Sequence, residues 1–272
     1  MSLFRCPVCA APLTRGKSAY TCPAGHSYDL SRDGYVHLLP ANRMHSKTPG
    51  DDKGMASARS RFLATGAYSH LCDALSELAL FYTDGDSVLL DSGCGEGYYT
   101  SGVLEALRGV GRRPRAAGID ISKFCLRYAA RREKDCEFAV ASAYHLPVED
   151  SSVDLLLNCF SPLALEEVRR VLRPGGVFLY VVPAPDHLWE LKEILYEKPY
   201  RNAEEAVAYD GFEYVTIVSC ERTVHVEGQA LSDLFQMTPY FWKTPKEGAE
   251  RLAGYSELDV QADFRIHVFR KK

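Results

Sequence analysis

The apolar run SVLL at residues 87–90 passes without a break into DSGCGEGYYT, which sets Gly93, Gly95 and Gly97 directly behind a strand signal. Glycines in that position let a backbone pass close to a ligand, because they carry no Cβ and accept positive φ. A helix signal, YYTSGVLEALRG, follows at once. The alternation then repeats: RAAGIDIS reads as a strand and KFCLRYAARRE as a helix, CEFAVASA and SVDLLLNCF as strands, ALEEVRRVL as a helix and GGVFLYVVP as a fifth strand. A chain patterned in this way is expected to form an α/β fold on a doubly wound parallel sheet. Its ligands belong at the carboxyl ends of the strands, near the topological switch point. Further on, GFEYVTIVSCERTVHV and ELDVQADFRIHVFRKK read as antiparallel strands that complete a mixed seven-stranded sheet. HLWELKEILYEK reads as a helix, and the aromatic-rich GQALSDLFQMTPYFWKT lies helical between the last two strands.

A dinucleotide-binding loop, G-x-G-x-x-G, would need glycine where Tyr98 stands. The spacing is instead G-x-G-x-G, which lays the backbone against an adenosine-type ligand without seating a pyrophosphate on the helix N-terminus. Asp120, 23 positions beyond Gly97, ends the second strand, where a carboxylate can accept hydrogen bonds from both ribose hydroxyls. An NAD(P)-binding fold is the alternative.

A second constellation lies upstream. CPVC and TCPAGH give Cys6-x2-Cys9-x12-Cys22-x3-His26. Two tight turns joined by the hairpin AAPLTRGKSAYT can aim three thiolates and one imidazole at a single ion, and zinc suits that donor set. The alternatives are four unrelated side chains, or a redox Cys-x-x-Cys, which normally sits at the start of a helix. A module this small has little core, so metal binding would supply much of its folding free energy. The six remaining cysteines are scattered through core-like segments, which suits a reducing compartment better than a disulfide framework.

These signals divide the 272 residues into a zinc-binding domain at 1–40, a basic linker at 41–55 (ANRMHSKTPGDDKGM) and an α/β domain at 56–272. The last opens on helical spacing, with a break at Gly66. Residues 1–49 hold six Lys or Arg (Arg5, Arg15, Lys17, Arg32, Arg43, Lys47) against Asp29 and Asp33, so the remainder carries the −8 that brings the chain to −4. A basic end on an acidic body suits docking of an anionic partner, or is merely a solvated face. No apolar run reaches the ~20 residues that cross a bilayer. The N-terminus MSLFRCPVC lacks a charged-then-apolar leader pattern. A cytoplasmic protein without membrane contact is expected.

Over roughly residues 85–183 the chain resembles the class I S-adenosylmethionine-dependent methyltransferases, whose fold is Rossmann-like. LDSGCGEGYYT matches the glycine motif, GIDIS the second-strand acid, LPVEDSSVDLLLN the approach to the fourth strand and RRVLRPGGVFLYVVP the turn into the fifth. Over its whole length, zinc-ribbon-like end included, it is similar to the 23S ribosomal RNA (guanine-N1-)-methyltransferases. The shared stretches are the Cys/Cys/Cys/His set, DGYVHLLP, PGD in the linker, GCGEGYYT, PAPDHLWELK and LFQMTPYFWK. That resemblance implies an enzyme that moves a methyl group from S-adenosyl-L-methionine to N1 of a guanine in a hairpin loop of 23S ribosomal RNA. It implies Cys6, Cys9, Cys22 and His26 as ligands of structural Zn2+. It sets the methyl donor against Gly93, Gly95 and Glu96, in the loop bounded by Asp91 and Gly97, with Asp120 at the ribose and Tyr68 and His187 flanking. By residue type alone, Tyr68 reads as core packing, His187 as a turn residue and Cys94 as a space-filler. One branch of the family confers resistance to certain macrolides, so an influence on macrolide sensitivity and a homodimer come with the resemblance as further expectations.

Methyl transfer from a sulfonium is an in-line displacement in which an enzyme chiefly aligns groups and excludes water. A guanine N1 must be unpaired or flipped out, and must lose its proton. NCFSP, Asn158 to Pro162, stands at the end of the fourth strand, where amino-group methyltransferases often carry an Asn/Asp-Pro-Pro-aromatic motif; only the Asn and a later Pro remain. Asn158 is expected to accept hydrogen bonds from the guanine edge and Phe160 to stack on it; alternatively Asn158 caps its strand. Phe235 and Trp242 read as core, while Tyr240 and Lys243 could face RNA. Two other functions stay open: a methyltransferase acting on a small molecule, and a non-catalytic RNA-binding protein on the same scaffold.

Overall fold

Hydrogen bonding along the apolar runs builds one large sheet and one small one. The computed structural model describes residues 1–40, 49–203 and 208–272. The N-terminal module holds β1 (Thr14–Arg15), β2 (Ala19–Thr21) and β3 (Ser27–Asp29), antiparallel and in that order, and then β4 (Tyr35–His37). Helices α1 (Lys53–Ala64) and α2 (Ser69–Tyr82) follow, parted at Gly66, whose φ is 78°. The body continues through β5 (Val88–Ser92), α3 (Tyr98–Gly109), β6 (Arg115–Asp120), α4 (Lys123–Arg132), β7 (Glu137–Val140) and β8 (Val153–Cys159). Then come α5 (Leu165–Val171), β9 (Leu172–Pro183), α6 (Trp189–Leu195) and β10 (Phe212–Glu227). The chain ends with α7 (Gly228–Gln236), α8 (Tyr240–Lys243), α9 (Lys246–Leu252) and β11 (Glu257–Lys271).

The large sheet has the order β10-β11-β9-β8-β5-β6-β7-β4. Strands from β4 to β9 are parallel, and β11 and β10 are antiparallel. The chain reverses direction across the sheet between β5 and β8, so Ser92, Asp120 and Cys159 end neighbouring strands at one edge, the switch point. The seven expected strands are joined by an eighth. Tyr35, Val36 and His37 of β4 pair with Phe138, Ala139 and Val140, which makes a strand from the N-terminal module the edge of the body's sheet.

The side chains repeat that joining. Phe4, Leu13 and Tyr20 of the module are buried in one cluster with Leu90, Ile119, Leu156 and Phe178 from the sheet. The opposite face of the sheet packs Phe62, Leu71, Leu75, Val103 and Leu126 from the helices. Helix α1 starts at Lys53 because the Asp52 side chain accepts from the Met55 amide at 2.9 Å. Residues 53–55 of the segment expected as linker are therefore helical, and residues 41–48 lie outside the described residues. No helix among the described residues is long and apolar enough to cross a membrane.

Candidate functional site

The four N-terminal ligand atoms lie within 4.8 Å of one another. Cys9 and Cys22 sulfurs are 3.7 Å apart, and the His26 Nδ1 is 3.5 Å from the Cys6 sulfur and 3.3 Å from that of Cys22. A tetrahedron with zinc–sulfur bonds of about 2.3 Å and a zinc–nitrogen bond of about 2.0 Å has edges of roughly 3.5–3.8 Å. These separations are therefore edges of a coordination polyhedron rather than hydrogen bonds, and the donor set fits zinc. Burial alone would raise the Cys6 thiol. Hydrogen bonds from Tyr28 and from the Cys9 and Val8 amides overcome it and hold the thiol at about 6, so the thiolate form is favoured at neutral pH. The redox alternative does not fit, since Cys6 and Cys9 lie in a turn ahead of a hairpin and not at a helix start.

The second site forms at the carboxyl edge of β5, β6 and β8. The Gly93 and Cys94 amides both donate to the Ile119 carbonyl at 2.9 Å, which ties the glycine loop to the end of β6. A Cβ on Gly93 would lie 2.1 Å from Ser161 Oγ, and one on Gly97 would lie 2.9 Å from Ala129 Cα. Gly95 differs: its Cβ would meet nothing within 4 Å. Its face is open, and its amide donates to Asp120 Oδ2 at 2.9 Å while the Ser122 amide donates to Oδ1 at 2.7 Å. Burial lifts the Asp120 carboxyl to about 6, although those two amides pull it down. Asp91 lies beneath the loop; Thr100 donates to its Oδ2 at 2.5 Å, its Oδ1 has no partner, and burial lifts it to about 7. Glu96 is also buried, with Oε2 paired to Arg132 at 2.6 Å and Oε1 left without a partner.

Across the opening stand Tyr68, the residue that precedes α2, and residues from the loops after β8 and β9. Tyr68 packs edge-on against Phe264 at 4.9 Å and Phe62 at 5.1 Å, and its hydroxyl has no partner. His187 lies 4.7 Å from the Phe264 ring and 6.1 Å from that of Tyr68. Burial, helped by the Lys192 ammonium, pushes its imidazole down to about 3, so it is neutral at physiological pH. Its Nδ1 is another buried atom without a partner. Asn158 is buried, donates from Nδ2 to the Pro162 carbonyl at 3.3 Å, and leaves Oδ1 unpartnered. Phe160 has a left-handed backbone, φ 57°; the residue is 42% exposed and its ring lies 5.4 Å from that of Phe264.

Tyr68, Tyr99, Glu96, Asn158 and His187 thus bring buried polar atoms without partners to the end of the sheet that carries the glycine loop. Buried polar atoms normally find partners, so this end of the sheet fits polar ligands, an adenosine with an amino-acid part on the glycine loop and a second polar group at Asn158. An ionised Asp120 is needed to accept from ribose hydroxyls. Affinity for such a ligand is expected to hold above pH 7 and to fall as the pH drops through about 6, reaching about tenfold weaker near pH 5. Calorimetric titration across that range checks this, and Asp120→Asn should flatten the profile.

One expectation for the C-terminal aromatics is corrected: Trp242 does not belong to the core. Trp242 is 64% exposed and touches the body through its Nε1, which donates to Met55 Sδ at 3.0 Å. Tyr240, which could face RNA, is half-buried and lays its ring 5.6 Å from the Lys192 ammonium. A helix of one turn on the surface leaves Trp242 outside the core. Asp51 and Arg59 were missed altogether. They sit at the rim of the site, where the Asp51 carbonyl accepts from Ser122 Oγ at 2.6 Å. The PGD stretch contains Asp51, and no motif in the sequence points to Arg59.

A family model described as "RlmA, N-terminal", a zinc ribbon, matches residues 4–47, and one described as "Methyltransferase domain" matches residues 83–235. The chain is 33% identical to the "Putative 23S rRNA (guanine-N(1)-)-methyltransferase YxjB" of Bacillus subtilis, over 99% of this chain and 98% of that one. It is 34% identical to the "23S rRNA (guanine(748)-N(1))-methyltransferase" of Streptomyces fradiae, over 97% and 95% respectively. A third relative, from Micromonospora griseorubida, is 34% identical over 98% and 97%.

Proposed function

The chain belongs to the 23S rRNA (guanine-N1-)-methyltransferase family, and from that membership we propose that it methylates N1 of a guanine in a hairpin loop of 23S ribosomal RNA. The observation that carries the reading is that Asn158 Oδ1, Tyr68 Oη and His187 Nδ1 are buried without partners at the end of the sheet that carries the glycine loop, where Gly95 has an open face. S-adenosylmethionine, when bound there, supplies a methyl group on a sulfonium centre. Gly93, Gly95, Glu96 and Asp120 hold the donor, with Tyr68 and His187 on its flank.

Asn158 and Phe160 act on the acceptor. Asn158 Oδ1 accepts a hydrogen bond from the guanine edge, and the exposed Phe160 offers the flipped base a stacking face. His187 does not take the N1 proton, because an imidazole held at about 3 has too little affinity for it. The division into a zinc module at 1–40, a linker at 41–55 and a catalytic domain at 56–272 is part of the same proposal. So are a homodimer, work in the cytoplasm where ribosomal RNA is made, and an influence on macrolide sensitivity.

The test is transfer of a radiolabelled methyl group to unmodified 23S ribosomal RNA, followed by primer extension. N1 methylation blocks pairing, so a polymerase stop at one guanine is expected. Methylation of small acceptors alone would overturn the reading. Asn158→Ala should cut transfer by on the order of 10²-fold with donor affinity unchanged, since misplacement of a reacting group costs about that much. Normal transfer by this variant would remove Asn158 from the pocket.

A further inference from the structure

Helix α1 is locked to the donor site by a run of hydrogen bonds that starts at Arg59. Its Nε and Nη2 grip Asp51 Oδ2 at 2.9 and 2.8 Å, and Nη2 also donates to the Met237 carbonyl at 3.0 Å. The Asp51 carbonyl holds Ser122 Oγ, the Ser122 amide holds Asp120, and Asp120 holds the Gly95 amide. Gly50 packs so closely here that a Cβ would lie 2.7 Å from Ile121 Cγ2. The guanidinium is thereby fixed near the glycine loop, and its charge eases ionisation of Asp120, Glu96 and Tyr68. Its side chain is 26% exposed, and its hydrogen bonds among the described residues run through Nε and Nη2, leaving Nη1 free of them.

The donor brings two positive centres and one carboxylate into a site already holding Asp51, Asp91, Glu96 and Asp120. The sulfonium and the ammonium suit those acids, but the carboxylate needs a cation. Arg132 is turned toward Glu96 and Tyr98, and Lys192 toward Tyr200 and Asn202. His187 is neutral. Arg59, by contrast, is the cation tied through Asp51 and Ser122 to Asp120 and the glycine loop, with its Nη1 uncommitted. We propose that Arg59 Nη1 binds the carboxylate of the donor's methionine moiety, with Asp51 holding the guanidinium in line. This rests on the methyl-donor reading of the site.

The test compares binding of S-adenosylmethionine with that of its decarboxylated analogue, by calorimetry on the full chain without RNA. The wild type should prefer the carboxylated ligand by about 30-fold, the scale of a charge-assisted hydrogen bond. Arg59→Met should bind both equally and leave the analogue's affinity unchanged. Arg59→Lys, which keeps the charge at shorter reach, should restore part of the preference and serves if Arg59→Met folds poorly. A preference that survives in both variants overturns the assignment while the donor reading stands. Equal loss of both ligands also overturns it, since that marks Arg59 as only a brace for α1. A wild type that binds neither ligand overturns the donor reading itself.

Discussion

Gly95→Ala is expected to give a folded protein that no longer holds its methyl donor. Gly95 sits at φ 55°, where an L-residue is strained by about 1–2 kcal/mol. Its new Cβ would meet no protein atom within 4 Å, so no clash adds to that cost. In a chain of this size the melting temperature should fall by only about 2–8 °C. The methyl group instead enters the open face beside Asp120, the space proposed for the donor, and donor affinity should drop by at least about 100-fold, as overpacking of a tight site by one carbon typically costs 1–3 kcal/mol and displaces the ribose contact as well. Gly97→Ala is the control with the opposite signature. Its φ is 81°, and its Cβ would press on Ala129 Cα and Cβ at 2.9 Å, so the loop must part from α4 and the fold itself suffers. Melting curves and calorimetric titration of the two variants separate these effects. A Gly95→Ala protein that binds S-adenosylhomocysteine normally would place the donor elsewhere.

The difference between those two glycines is invisible in the sequence, where they are equivalent members of one motif. Local signals were readable wherever the physics is local. Helix α3 begins and ends at Tyr98 and Gly109, as its pattern requires, because the glycines before it and at its end punctuate an amphipathic run. The zinc ligands were readable because spacings of two and three residues encode each turn of the tetrahedron. What stayed hidden depends on partners far along the chain. Three residues at Tyr35–His37 carry no strand signal strong enough to name Phe138–Val140, a hundred positions away, as their partner. A basic residue on a helix face normally reads as solvated, and nothing near Arg59 in sequence announces that Asp51 and Ser122 carry it to the donor site. The left-handed turn at Phe160, which exposes the residue, likewise arises from the loop around it and leaves no mark in residue type.

The hidden strand changes what loss of zinc should do. Cys9→Ser removes one ligand of four, and the protein is expected to lose its single equivalent of zinc. From the sequence alone, damage would stop near residue 40. The structure carries it further. Glu137 on β7 accepts from Ser2 Oγ at 2.6 Å, from the Leu3 amide at 2.9 Å and from Tyr20 Oη at 3.1 Å. Arg5 pairs with Glu149, and Phe4, Leu13 and Tyr20 cover Leu90, Ile119 and Phe178. Structural zinc contributes on the order of 10 kcal/mol to the folding of small modules. Packing on the body retains only part of that, so the module should come away and expose this face of the sheet. A net loss of about 3–5 kcal/mol would lower the melting temperature by roughly 10 °C or more. Hydrogen exchange locates the damage: the amides of Phe138 and Val140, which point to β4, should lose protection along with residues 1–37, while that of Ala139, which points to β6, and those of β5 and β8 in the middle of the sheet keep theirs. Retained protection at Phe138 and Val140 in a zinc-free protein would mean that the body holds its edge without the module, and that the shared sheet is a consequence of metal binding rather than a support for the catalytic domain.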